Sequence, residues 1–278
     1  MIIELFGPPG AGKTTFARTL AARLHEHGHT VDLILSHRPA ERSAPETIPA
    51  PTPGPRQILP AVRRLIRPLA EMLTMARQPF AFSHDVGAAF ALVRTMPPSD
   101  ILWFVRLIQY LTRLSRTWSQ STDTDHIVLF DQAFVQAICS LVLLCGAVDE
   151  LTISHALDKI PQPDLLVLLN APTEIVEARL RDRERHASGM ERLLELDLAT
   201  SLKSMTIIDC VQRVLRSKGT QIANAESLDQ RSLQEATDRI EKQIAAQNSG
   251  ASRKWGPPIH SAGIGGPRDP RRYFVGGD

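Results

Sequence analysis

Near its start the chain reads Gly7-Pro8-Pro9-Gly10-Ala11-Gly12-Lys13-Thr14-Thr15, which fills the spacing G-x-x-x-x-G-K-S/T. The run before it, Ile2-Ile3-Glu4-Leu5-Phe6, is strand-like, and the run after it, Thr15 to Leu24, has helical periodicity. Strand, tight loop and helix in that order are what a phosphate-binding loop requires. Glycines at 7, 10 and 12 let the backbone wrap a polyphosphate with its N–H groups turned inward, and the helix N-terminus adds partial positive charge. Lys13 is then expected to face solvent in the empty loop and to reach the β and γ phosphates, with the Thr14 hydroxyl a ligand for Mg²⁺. Gly7, Pro8, Gly10, Ala11, Gly12, Lys13, Thr14 and Thr15 are therefore the expected binding residues for ATP or GTP.

That loop fixes the fold class to α/β. A length of 278 residues with 43% hydrophobic content is ample for one large core. Lys and Arg total 32 against 30 Asp and Glu, a balance that gives no reason to expect nucleic acid or an anionic membrane as partner. Cys139, Cys145 and Cys210 make an odd count with no C-x-x-C pair, so free thiols in a reducing compartment are expected, without structural zinc. No basic, apolar and cleavable leader precedes the first strand, and a cytoplasmic location is the expectation. The apolar stretch from Ile127 to Val148 contains Asp131, Gln132 and Gln136 and lacks a basic flank, so it reads as a buried strand followed by a buried helix.

Five strands are expected: Ile2–Phe6, Thr30–Leu35, Ile127–Phe130, Asp164–Leu169 and Thr220–Ala223. Helical periodicity covers Thr15–Leu24, Asp100–Trp118, Pro172–Arg185, Met190–Lys218 and Ser227–Gln247, with weaker candidates at Ala61–Arg77 and Val86–Arg94. His25 and His27 beside Gly28 read as the capped end of the first helix. Residues 37–60 are thick with proline and read as a long loop, and 61–120 as a helical insert forming the acceptor region. A domain over residues 1–247 carrying a lid-like segment at 180–192 is expected, followed by a disordered tail over 248–278, where Gly, Pro and Arg dominate. Continuous apolar strands joined by helices give a three-layer, doubly wound parallel sheet of five strands.

Ligands gather at the carboxyl ends of such strands, which puts Asp131, directly after Ile127-Val128-Leu129-Phe130, at the nucleotide. It can hold Mg²⁺, or it can orient and deprotonate an acceptor hydroxyl; a plain capping aspartate is the competing reading. A second cluster, Arg179-Leu180-Arg181-Asp182-Arg183-Glu184-Arg185, has the arginine density that phosphoryl transfer uses to neutralise charge on the transferred group. One or two of these arginines are expected to act, the remainder to be a solvated helix face. Arg106 and Arg113 share a face of the helix beginning near residue 100.

These islands resemble the thymidylate kinase branch of the P-loop nucleoside and nucleotide kinases, over residues 1 to about 245. The resemblance lies in the loop Gly7 to Thr15, in Ser36-His37-Arg38-Pro39 after the second strand, in Val128 to Gln132, and in Pro163 through Arg183. It implies that Lys13 and Thr14 hold ATP and Mg²⁺, that Arg183, with Arg185 as a further candidate, closes over the phosphates, and that Arg38 or Arg106 faces the acceptor, with Gln132 a further acceptor candidate. It also implies that Asn224, on the last strand, lies near the base. Gln132 stands where that family has arginine, and Asn170 where it has aspartate, so an acceptor other than thymidylate is favoured. The expected activity is γ-phosphoryl transfer from Mg-ATP to a small molecule, with Lys13, Asp131, Arg183 and Arg185 as the catalytic groups and Thr14 and Asp131 on the metal. The alternative is an ATP-binding switch or assembly factor acting on a protein. The expected partners are ATP and the acceptor, with neither nucleic acid nor membrane, and a homodimer is left open.

Overall fold

The computed structural model describes residues 1–36, 92–97, 101–146, 149–186 and 198–250. In chain order these form β1 (Ile2–Phe6), α1 (Lys13–Glu26), β2 (Val31–Ile34), α2 (Ile101–Thr122), β3 (Ile127–Phe130) and α3 (Phe134–Cys145). Then come α4 (Glu150–Leu157), β4 (Leu165–Asn170), α5 (Thr173–His186), α6 (Leu198–Ser217), β5 (Ile222–Glu226) and α7 (Gln230–Gly250). The strands make one sheet of five in the order β2-β3-β1-β4-β5, every pair parallel.

Each strand alternates between the two faces of the sheet, and helices cover both. Ile3, Leu5, Ile127, Leu129, Leu165, Val167 and Leu169 pack with Phe16, Leu20 and Leu24 of α1 and with Ala236, Ile240 and Ile244 of α7. On the opposite face Ile2, Phe6, Val128, Phe130, Leu166 and Leu168 meet α2, α3, α4 and α6. Trp118 of α2 stacks on Phe130 with ring centroids 5.2 Å apart and meets Phe134 edge-on at 5.3 Å, which pins α2 against β3 and the start of α3. Both faces being covered explains why the strands read as continuous apolar runs.

Glu4 breaks that pattern. Its place in β1, opposite Phe130 and Leu166, points it into the core between apolar neighbours, and it is fully buried. Its Oε1 accepts from the backbone N–H groups of Val135 at 2.7 Å and Gln136 at 3.2 Å, so it caps the start of α3 from the middle of the sheet. Burial, opposed by those N–H groups, raises its pKa from 4.5 to about 8.

The five strands and the three layers match the sequence reading, with shifts of one to three residues at strand ends. The shift is largest in β5, which runs Ile222–Glu226 and not 220–223. Helix α7 reaches Gly250, past the 247 boundary read from composition. Helix α1 ends at Glu26, and Gly28, at φ 84°, carries the chain out with its N–H on the His25 carbonyl. The proline-rich segment 37–60, the candidate helix 61–77, most of 86–94, residues 187–197 and the tail beyond 250 lie outside the described residues. No described helix is long and apolar enough to cross a membrane.

Candidate functional site

The strand order places the loop after β1 beside the loop after β3, where the connections reverse direction and where open α/β sheets bind ligands. Gly7 opens the first of these loops at φ 151°, and a Cβ built on it would lie 2.4 Å from the Leu169 carbonyl oxygen. A side chain there is excluded by backbone, which accounts for the first glycine of the motif. Gly12, at φ 90°, leads directly into α1, and a Cβ on it would come within 2.9 Å of the Ser227 hydroxyl.

Lys13 departs from its expected solvent-facing state. It is 5% exposed, and its Nζ donates to the Gly7 carbonyl at 2.7 Å and the Pro8 carbonyl at 2.9 Å. The reason is local: loop carbonyls curl over the helix start, and the buried ammonium satisfies them. The Ala11 N–H closes on the Pro8 carbonyl at 3.2 Å, and Ala11 itself is buried. Thr15 is exposed and lines the cleft beyond the loop.

Asp131 is 1% exposed and gathers three donors. The Thr14 hydroxyl donates to its Oδ2 at 3.0 Å, the Ser36 N–H to its Oδ1 at 2.6 Å, and the Ser36 hydroxyl to its Oδ2 at 3.1 Å. The ends of β1, β2 and β3 thus converge through one carboxylate. Ser36 is a candidate site residue that the sequence reading passed over for its neighbour Arg38. Its position at the carboxyl end of the second strand was the available signal. Two hydroxyls and one carboxylate form a hard oxygen set of the kind Mg²⁺ takes alongside water and substrate phosphates. Among the described residues no group of three or more His, Cys, Asp or Glu is placed to hold a metal ion.

A cleft of about 370 Å³ opens over the loop between α1, α5 and the turn after β5. Arg183 lines it, together with Arg179 and Ser227. Residues 179 and 183, one helical turn apart, share a face of α5. Arg185 is on another face and exposed, and Arg181 pairs with Glu177 at 2.6 Å in solvent. Arg179 has a distinct task. Its guanidinium donates to the Gly10 carbonyl at 3.0 Å and to the Ser227 and Leu228 carbonyls at 2.6 and 3.0 Å. It ties the phosphate loop to the β5–α7 turn and shapes the cleft's outer wall. Asn224 is exposed on β5 and does not line this cleft; Ser227, three residues on, does.

On the other side of Asp131, Gln132 is half-buried and its carbonyl accepts from the Tyr110 hydroxyl at a long 3.4 Å. Burial first, then the carboxylates of Glu4 and Asp131, drive the Tyr110 pKa upward, which keeps this phenol protonated. Arg38 and the side chain of Arg106 lie outside the described residues.

No family model matches the chain, and no curated protein matches it either. Among solved structures it is similar to deoxyadenosine kinase from M. mycoides with the products dCMP and a flexible dCDP bound, at 14% identity and a TM-score of 0.48. The same enzyme with dATP bound gives 14% identity and a TM-score of 0.41. In both cases 88% of this chain and 100% of the other are covered. Likeness at that level carries no argument about activity, and the fold rests on the sheet order and the loop geometry themselves.

Proposed function

We propose that this chain is an ATP-dependent phosphotransferase of thymidylate kinase-like layout, moving the γ-phosphoryl group of Mg-ATP to a small-molecule acceptor. The observation that carries the proposal is the meeting of Thr14, Ser36 and Asp131 within hydrogen-bond distance beside a loop whose lysine is already folded inward. Thr14 and Asp131 would hold Mg²⁺, with Ser36 steering the carboxylate. The metal, when bound, neutralises charge on the β and γ phosphates. Lys13 exchanges its two loop carbonyls for phosphate oxygens and so brings its charge to the transferring group without moving far. Arg183 faces the same cleft and stabilises the charge that spreads over the equatorial oxygens. Arg179 holds the outer wall together.

An acceptor entering beside Gln132 meets a neutral side chain where the resembled family has arginine. A neutral amide cannot grip a phosphate bidentately, which favours acceptors presenting a hydroxyl. The same Gln132 is what supports the second reading, an ATP-binding switch that acts on a protein. Incubating the chain with labelled ATP, Mg²⁺ and panels of nucleosides, nucleotides, sugars and aminoglycosides separates the two. Transfer of label to one compound, lost in Asp131→Asn with ATP still bound, supports the kinase. Tight ATP binding with no labelled acceptor and an altered affinity for a protein partner supports the switch.

A further inference from the structure

Helix α3 reaches the phosphate loop through one side chain that neither the metal set nor the cleft uses. Gln136, in the first turn of α3, accepts from the Gly7 N–H through its Oε1 at 3.0 Å. Its own N–H is held by Glu4 at 3.2 Å, alongside that of Val135 at 2.7 Å. Glu4 is fully buried in β1, three residues before Gly7, and its Oε2 has no hydrogen-bond partner among the described residues. A carboxyl in that setting costs stability, and it is held against α3 by backbone N–H groups alone. Gly7 is thus gripped from two sides, by Gln136 on its N–H and by Lys13 on its carbonyl. Once Lys13 turns to phosphate, Gln136 is the side-chain anchor that remains of the two.

We infer that Gln136, itself held by Glu4, is a positioning residue that registers the phosphate loop against helix α3, so that the loop keeps its nucleotide-ready shape after Lys13 leaves the Gly7 carbonyl. The inference rests on the nucleotide-site reading above for its consequence, but its geometry is independent of it. Asp131 and α3 follow one another directly in the chain, so the link also joins the metal and acceptor side of the site to the donor side.

The test uses the full chain and the variants Gln136→Leu, which keeps the bulk and loses the acceptor oxygen, and Gln136→Glu, which restores an oxygen at the same reach. Two quantities are read: the hydrogen-exchange rate of the Gly7 amide by NMR without nucleotide, and the Kd for a fluorescent ATP analogue with Mg²⁺. In Gln136→Leu, Gly7 exchange should quicken and the Kd should rise, each by about tenfold, the scale of one hydrogen bond, while Tm shifts by only a few degrees. Gln136→Glu should recover the Gly7 exchange rate, while its added negative charge beside the loop keeps the Kd raised. Should Gln136→Leu not be recovered folded, Gln136→Asn, one methylene too short to reach Gly7, takes its place with the same expectation. Unchanged Gly7 exchange, or quickened exchange with the Kd within about twofold of the parent, overturns the inference. A parent chain that fails to bind the analogue sinks the nucleotide-site reading instead, and the link then stands or falls on Gly7 exchange.

Discussion

The Lys13 ammonium satisfies two carbonyls of its own loop. Removing it therefore has two effects. Lys13→Ala should abolish measurable ATP binding and also lower Tm by a few degrees, since two buried carbonyls lose a charged donor at a cost of about 1–3 kcal/mol. Calorimetry and a nucleotide titration check this; an unchanged Tm would mean that the carbonyls find other donors cheaply. Ser36 makes a subtler case. Ser36→Ala leaves the N–H to Asp131 in place and removes only the hydroxyl contact at 3.1 Å. Phosphoryl transfer should fall about tenfold with the ATP Kd nearly unchanged, and the Mg²⁺ concentration for half-maximal rate should rise. A rate equal to the parent's across a Mg²⁺ titration would remove Ser36 from the site. Lys13 and Thr14 were legible because the motif is contiguous, whereas Ser36 meets Asp131 across 95 residues of sequence. The local cue, its place at the carboxyl end of a strand, is shared by any serine that ends one.

Helix α5 sorts its arginines by face. Arg179 and Arg183 turn to the cleft, Arg181 and Arg185 to solvent. Arg179→Ala should raise KM for ATP by about tenfold or more, because three carbonyls on two loops lose their common donor. Arg183→Ala should act mainly on kcat, by about 10²-fold or more, with little effect on nucleotide affinity. Arg185→Ala should leave both parameters within about twofold, a control from the exposed face. Steady-state kinetics on the three variants decides, and equal loss in all three would mean that the cluster acts by charge alone. The arginine cluster stood out in the sequence, but its division did not, because the phase of α5 against the sheet is set by Val176 and Leu180 in their small core. Strand β1 carries a comparable surprise in Glu4, visible as a charge amid Ile2, Ile3, Leu5 and Phe6 yet readable only once α3 is seen to begin on it. The folded chain keeps this carboxyl's proton up to about pH 8, while the unfolded chain releases it near 4.5. Between those values the folded state binds more protons, so stability from this group is complete below about 4.5, declines as pH rises and levels off above about 8. Melting curves from pH 5 to 9 should show a shallower decline in Glu4→Gln than in the parent; identical slopes would assign the dependence to other groups.

Across the whole molecule, the parallel sheet and its layers were legible because the central strands β1, β3 and β4 are buried apolar runs and the described crossovers are helical. The order β2-β3-β1-β4-β5 was not legible in the sequence, because neither the loop motif nor the apolar runs say which strands are neighbours. Strand and helix ends were not legible to the residue, since β5 is a half-exposed edge strand with little apolar content and α7 has no proline or glycine stop before Gly250. The composition of residues 251–278, poor in apolar periodicity, predicts that truncation after Gly250 leaves Tm within about two degrees of the full chain. A larger loss would show that the tail packs on the domain. Truncation after Asp229 should behave very differently. It removes Ala236, Ile240 and Ile244 from the face that α1 shares, along with the Glu241 and Asp238 carboxylates that pair with Arg23. Such a chain should be recovered only as aggregate, checked by the soluble fraction on expression. That joining of the first helix to the last bears on biogenesis. During synthesis β1 emerges ahead of α7, and half the cover of its sheet face is encoded more than 200 positions later, at the far end of the Arg23–Glu241 contact. The nascent β1 must therefore wait for α7 before that face of the sheet is fully covered.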